Sequence, residues 1–162
     1  MSSISELRRI LATCRTIAVV GLSPQWHRPS FFAAKYMQAH GYRIVPVNPG
    51  ATEILGERAY PSVTAAAQAL AADGRRIDMV DCFRRSEDIA PIAAEAIAIG
   101  ARCLWLQLGV IDEESAAKAG AAGLDVVMDR CVKIEHARLF GGLNWAGVDT
   151  KVISSRRPQQ LP

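Results

Sequence analysis

Apolar residues fall in five short runs, at residues 16–20, 43–47, 77–82, 103–106 and 124–128, each rich in Val, Ile, Leu or Cys and bounded by turn-forming residues. Their near-continuous hydrophobicity, rather than strict alternation, predicts strands covered on both faces. Pro46 inside the second run removes a backbone donor and predicts that this strand is short or lies near a sheet edge. Between the runs the spacing is helical. Residues 3–13 place Ile4, Leu7 and Leu11 on one face, and residues 30–40, entered through Pro29 and left at Gly41, place Phe32, Tyr36 and Met37 toward the core. Ser62 is suited to cap a helix running to Leu70. Ser86 or Asp88 opens another, with Pro91 in its first turn and Gly100 beyond its end, and Asp112 caps a fourth that exits at Gly123. Strands alternating with helices predict right-handed crossovers and a five-stranded, parallel, doubly wound α/β sheet, a Rossmann-like single domain with helices on both faces.

That architecture places a ligand at the carboxyl ends of the strands and so selects five loops. The loop Gly21-Leu-Ser-Pro-Gln-Trp-His-Arg-Pro-Ser30 joins a strand to a helix whose first N–H groups lack internal partners, a favourable place for phosphate. Gly21 allows a close turn, Ser23 and Ser30 offer hydroxyls, and Arg28 adds charge. The spacing is neither GxGxxG nor a Walker A loop, which disfavours ordinary NAD binding and phosphoryl transfer. After the second strand stands Asn48-Pro49-Gly50, where a dinucleotide dehydrogenase carries an acidic residue; a plain tight turn accounts for the same residues. After the third comes Phe83-Arg84-Arg85, suited to stacking on a base and pairing with phosphate, or to a solvated loop.

Residues 129–136 hold the densest set of reactive types. Cys131 with His136 raises a thiol nucleophile, and the alternative is an ion-pair network of Asp129, Arg130 and Glu135 at the sheet edge with Cys131 packed as a small hydrophobe. Cys82 and Cys103 lie in apolar strands, Cys14 has no chemical partner in sight, and Trp105 reads as core. Trp26 and Trp145 have less reason to be buried.

Composition narrows the classes. The chain has 162 residues, 50% hydrophobic and 22% charged, which suits one globular domain and excludes disorder. At this length roughly two-thirds of the unfolded surface is buried, enough for a core without staples. The four cysteines form no CxxC pair, so neither a disulfide framework nor a metal site is expected. A net charge of +3 gives little support to nucleic-acid binding and suits a small anionic ligand. No run is long enough to span a membrane and Glu6, Arg8 and Arg9 interrupt any signal-peptide core, so a cytoplasmic protein is expected.

Six stretches in order, Ile17-Ala-Val-Val-Gly-Leu-Ser23 with Arg28-Pro-Ser30, Val45-Pro-Val-Asn-Pro49, Asp78-Met-Val-Asp-Cys-Phe-Arg84, residues 96–101, Leu104-Trp-Leu-Gln-Leu-Gly-Val110 and Val127-Met-Asp-Arg-Cys131, resemble the small stand-alone CoA-binding proteins. That family is similar to the CoA-binding N-terminal domain of the succinyl-CoA ligase α-subunit. The likeness runs from about residue 5 to 157, leaving 158–162 as a tail. It implies coenzyme A, or an acyl-CoA, across the strand tops: Ser23, Pro24 and Gln25 with Arg28 and Ser30 on phosphates, and Asn48 and Pro49 beside the nucleotide. Phe83, Arg84 and Arg85 would flank the adenosine or its phosphates, and Gln107, Leu108 and Gly109 the pantetheine arm. One departure is that the ligase family places a lysine after Pro-Gly where this chain has Ala51.

The ligase also uses a phosphohistidine domain and a nucleotide-grasping subunit, for which 162 residues leave no room. The expectation is therefore a non-catalytic carrier, sensor or partner subunit. The alternatives are a thiol or acyl-transfer enzyme using Cys131 and His136, a dinucleotide-binding regulator, and a structural partner with a vestigial pocket. The apolar segment 141–145 with Val152 and Ile153 suggests a homodimer.

Overall fold

The computed structural model describes residues 2–141. The segment from Gly142 on, with Trp145, Val152, Ile153, Arg156 and Arg157, lies outside the described residues, and with it most of the basis for the homodimer expectation.

The chain opens on helix α1 (Ile4–Thr13), followed by β1 (Thr16–Val20), α2 (Pro29–Ala39) and β2 (Arg43–Val47). A two-stranded hairpin, β3 (Glu53–Ile54) and β4 (Glu57–Arg58), precedes α3 (Val63–Ala72) and β5 (Met79–Cys82). A single 3-10 turn at Ser86–Asp88 leads into α4 (Ile89–Ala98), then β6 (Cys103–Leu106), α5 (Glu113–Ala121), β7 (Asp125–Val127) and α6 (Val132–Phe140). The five long strands form one sheet in the order β2-β1-β5-β6-β7, every neighbouring pair parallel. The order reverses between β1 and β5, so the crevice of a doubly wound sheet opens above those two strands.

Alternation along the strands splits the core into two layers. Ile17, Val19, Met79, Cys103 and Trp105 face α1, α2 and α6. Ala18, Val20, Val80, Cys82 and Leu104 face α3, α4 and α5. With both faces covered, no strand shows the polar side that would have betrayed its register in the sequence. β2 is an edge strand, as Pro46 predicts, and Tyr60 partly covers it by donating its N–H to the Pro46 carbonyl at 3.0 Å.

Local signals set the helix ends. Ser3 and Glu6 form a reciprocal capping box on α1, Ser62 Oγ accepts from Ala65 N–H at 3.0 Å, and Asp112 Oδ1 accepts from Ser115 N–H at 3.1 Å. Two predicted core positions turn outward. Ile4, in the first turn of α1, is 57% exposed, and Ile10 joins Leu7 and Leu11 in the buried stripe instead. Phe32 is 47% exposed, and Ala33 and Ala34 face the sheet in its place, small residues that let α2 pack closely. Trp105 is fully buried, its indole N–H on the Arg130 carbonyl at 2.8 Å, while Trp26 is 71% exposed.

Candidate functional site

The crevice is built on a backbone contact between β1 and β5. Gly21 has φ +83°, and a Cβ there would lie 2.4 Å from the Phe83 carbonyl oxygen. Gly21 N–H donates to Val47 O at 3.0 Å and Phe83 N–H to Val20 O at 2.9 Å, so the parallel ladders carry on to the floor of the crevice. Only glycine satisfies both the positive φ and the close approach.

The following loop organises itself with its own hydroxyls. Ser30 Oγ accepts from Ser23 N–H at 3.0 Å, and Ser23 Oγ accepts from Gln25 N–H at 3.1 Å. Each hydroxyl keeps its hydrogen for donation outward. α2 begins at Pro29 with Arg28 as its preceding residue, and no side chain caps it. Pro29 has no N–H and Phe31 N–H donates to Arg28 O at 3.0 Å, so the first turn presents the Ser30 N–H and the positive dipole end, with no acidic side chain in it. Arg28 Nε reaches Gln25 Oε1 at 3.3 Å, which holds the guanidinium at the mouth of that turn.

Two adjoining clefts occupy the crevice and share Gly21, Ser23, Arg84 and Asp88 along their divide. The larger, about 670 Å³, is lined by Gln25, Arg28, Ser30, Phe83, Arg85 and Gln107. Leu108 and Gly109 bound it on the β6 side. The smaller, about 460 Å³, lies toward β2 between Asn48, Pro49, Val63 and Ile92. Of the residues the sequence selected, Pro24, Cys131 and His136 line neither.

Asn48 acts as a cross-link. Its Nδ2 donates to Leu22 O at 3.0 Å and its Oδ1 accepts from Gly50 N–H at 2.8 Å, tying the loops after β1 and β2 together. The tight turn and the cleft wall are thus one structure. Arg84 and Arg85 do not project freely. Arg85 Nε lies 3.1 Å from Asp88 Oδ2 and its Nη1 3.4 Å from Glu87, while Arg84 Nη2 lies 3.8 Å from the same Asp88 oxygen.

Several residues of the crevice went unmarked in the sequence. Glu87, Asp88 and Glu95 line the smaller cleft from the 3-10 turn and α4, which only the folded chain brings to the same cleft as the end of β2. Asp81 lies 1% exposed in the middle of β5, and Gln107 Nε2 donates to its Oδ1. Burial lifts the Asp81 carboxyl to about 7, opposed by that hydrogen bond. A charged residue inside the apolar run 77–82 was the available signal.

Cys131 and His136 do not form an activated pair. His136 Nδ1 meets the Tyr36 hydroxyl at 2.9 Å, with His40, Tyr42 and Phe140 rings around it. Burial, with help from His40 and Arg15, drives its pKa down to about 4. The Cys131 thiol sits at the start of α6, and burial raises its pKa despite the Ile134 and Lys133 N–H groups. A nucleophilic thiolate needs the opposite shift. Arg130 Nη1 pairs with Glu135 Oε1 at 3.2 Å, as the alternative reading holds, but Asp129 is not in that pair: its Oδ1 accepts from Gly109 N–H at 2.7 Å and fixes the β6 loop. Among the described residues no cluster of His, Cys, Asp and Glu could hold a metal ion, and no helix is long and apolar enough to cross a membrane.

Fold and crevice together define a doubly wound α/β protein with a two-part cleft at its topological switch point. The chain belongs to the CoA binding domain family, whose profile matches residues 15–137. It is 40% identical over 133 residues to the uncharacterized protein YneT of Bacillus subtilis, covering 82% of this chain and 93% of that one. Among solved structures it is similar to a hypothetical protein of Pyrococcus horikoshii, at 36% identity and TM-score 0.78 over 86% of this chain and 94% of the other. It is also similar to a Thermus thermophilus protein, at 34% identity and TM-score 0.75 over 86% of this chain and all of that one.

Proposed function

We propose that this protein is a binding module for coenzyme A or an acyl-CoA, serving as carrier, sensor or partner subunit without ligase chemistry of its own. The observation that carries the reading is the uncapped start of α2 facing the larger cleft, which Arg28 lines from the loop after β1 and Arg84 and Arg85 from the loop after β5. A helix N-terminus and three guanidiniums suit a pyrophosphate. The residues fit the group in shape as well: Gly21 keeps the floor clear of a side chain, and the two clefts adjoin, as an elongated ligand crossing the divide requires. In this arrangement Ser23, Ser30 and Arg28 hold phosphate oxygens, Asn48 and Pro49 border the nucleoside, and Gln107, Leu108 and Gly109 line the pantetheine arm. The side chains bind and orient. The raised Cys131 thiol and the engaged His136 support binding rather than thiol transfer.

Calorimetric titration of the full chain with CoA, desulfo-CoA and NAD tests this. Saturable binding of CoA and desulfo-CoA, with NAD much weaker, is the expected result. Absence of binding by CoA and by its close analogues would remove the reading.

A further inference from the structure

The two clefts differ in charge, and the difference bears on which form of the ligand fits. The larger carries Arg28, Arg84 and Arg85 against one carboxylate, Asp88. The smaller is lined by Glu87, Asp88 and Glu95 and by one guanidinium, that of Arg84, within 3.8 Å of Asp88. Arg85, outside this lining, engages Glu87 at 3.4 Å and Asp88 at 3.1 Å, whereas Glu95 is held by Thr64 rather than by a cation. Arg58, on the neighbouring hairpin, lies over the Tyr60 ring and is not part of the lining.

Helix ends divide the same way. α3 begins at the smaller cleft, yet two of its first three donors are already used. Thr64 N–H and Oγ1–H both donate to Glu95 Oε1, at 3.0 and 2.8 Å, and Ala65 N–H donates to Ser62 Oγ at 3.0 Å. The protein's own carboxylate therefore occupies the position that an anion would take at this helix. α2, at the larger cleft, has no such cap.

We infer that the smaller cleft selects a ribose bearing free hydroxyls over a phosphorylated one, so that the preferred ligand is the dephospho form of coenzyme A, whose anionic groups are confined to the pyrophosphate. This rests on the proposed function above and names the ligand class of the same site. Carboxylates accept hydrogen bonds from ribose hydroxyls, and discrimination of this kind, carboxylate for hydroxyl and arginine for phosphate, follows from charge alone. A ribose phosphate in the smaller cleft would face three carboxylates, two of them already paired with Arg84 and Arg85, and would have to displace Glu95 from α3 to reach its dipole.

The test is a calorimetric titration of the full chain with dephospho-CoA and with CoA at pH 7.5 and low salt, repeated on a Glu87→Gln, Glu95→Gln double variant. Both replacements keep an acceptor oxygen, so the Thr64 contacts can persist. Dephospho-CoA is expected to bind at least about tenfold tighter than CoA, and the double variant to narrow that gap by strengthening CoA binding. Equal or tighter binding of CoA by the unmodified chain would overturn the preference and leave the binding-module reading standing. Failure of both ligands to bind would overturn both.

Discussion

Gln107, at the end of β6, donates its carboxamide N–H to Asp81 in the interior of β5, and both side chains are buried beneath the larger cleft that Gln107 also lines. The pair joins a titratable group in the core to the wall of the site. One hydrogen bond from a neutral amide does not offset the desolvation of a carboxylate, and the Asp81 pKa accordingly rises to about 7.

The sign of the resulting pH dependence is fixed. With the folded value above the unfolded value of 3.8, Asp81 stabilises the fold fully only below about pH 4, and that contribution is lost as pH rises toward 7. Asp81→Asn keeps an acceptor for Gln107 and removes the titration. It is expected to raise stability at pH 8 by on the order of 4 kcal/mol and at pH 4.5 by only about 1 kcal/mol. Urea unfolding at the two pH values measures this, and equal effects at both would refute the assignment.

His136 acts at the other end of the scale. Its folded value of about 4 lies below the ordinary 6.5, so the unfolded chain takes up the proton first and stability falls as pH drops from 6.5 toward 4. Tyr36, Tyr42, Phe140, His40 and Arg15 surround the ring or act on it, and none supplies an anion. His136→Phe is expected to flatten the slope in that window, whatever its effect on absolute stability. An unchanged slope in urea melts from pH 7 to 4 would place the titration elsewhere.

Gly21→Ala combines a positive φ with a Cβ 2.4 Å from the Phe83 carbonyl oxygen. The two strands at the switch point must separate to accept it. A loss of about 2 kcal/mol or more is expected, together with loss of CoA binding. Gly74 has φ +71° and nothing within 4 Å of such a Cβ, so Gly74→Ala controls for backbone strain alone. Equal destabilisation by both substitutions would show that the close approach contributes nothing.

Arg28→Ala and Arg84→Ala should each weaken CoA binding by about 1.5–3 kcal/mol if each guanidinium meets a phosphate, with folding nearly unchanged. A loss under about 0.3 kcal/mol at both would move the phosphates away from α2.

Asp88→Asn should act in the opposite direction. Asp88 engages both Arg84 and Arg85, and neutralising it frees two guanidiniums for an anionic ligand. Tighter CoA binding at low salt, with the gain shrinking as salt is added, is the expected calorimetric result. Weaker binding would mean that Asp88 positions the arginines rather than competing for them.

The loops after β1, β2, β5 and β6 were legible as a ligand site because a parallel sheet requires its strand tops to carry function, whatever its exact register. Two elements were not. The hairpin β3–β4 has two residues per strand, too few for a periodic pattern. α6 buries Val132, Glu135, His136 and Leu139 at helical spacing, but two of the four are polar, and polar residues in a stripe conceal it.

The sequence by itself determined the strands of the main sheet, the caps at Ser62 and Asp112, the edge position of Pro46 and the basic residues offered to a ligand, because each depends on a few adjacent residues. Only the tertiary structure decided what each charge meets. Asp88 is four residues from Arg84 and visible as its partner, but Glu95 reaches Thr64 across 31 positions and Gln107 reaches Asp81 across 26. Such pairs depend on strand order and on helices packing over the sheet. Whether a residue is a ligand contact, a cap on a neighbouring helix or a buried titrating group follows from that packing, since burial and distance set the energy of a charge and neither is encoded locally.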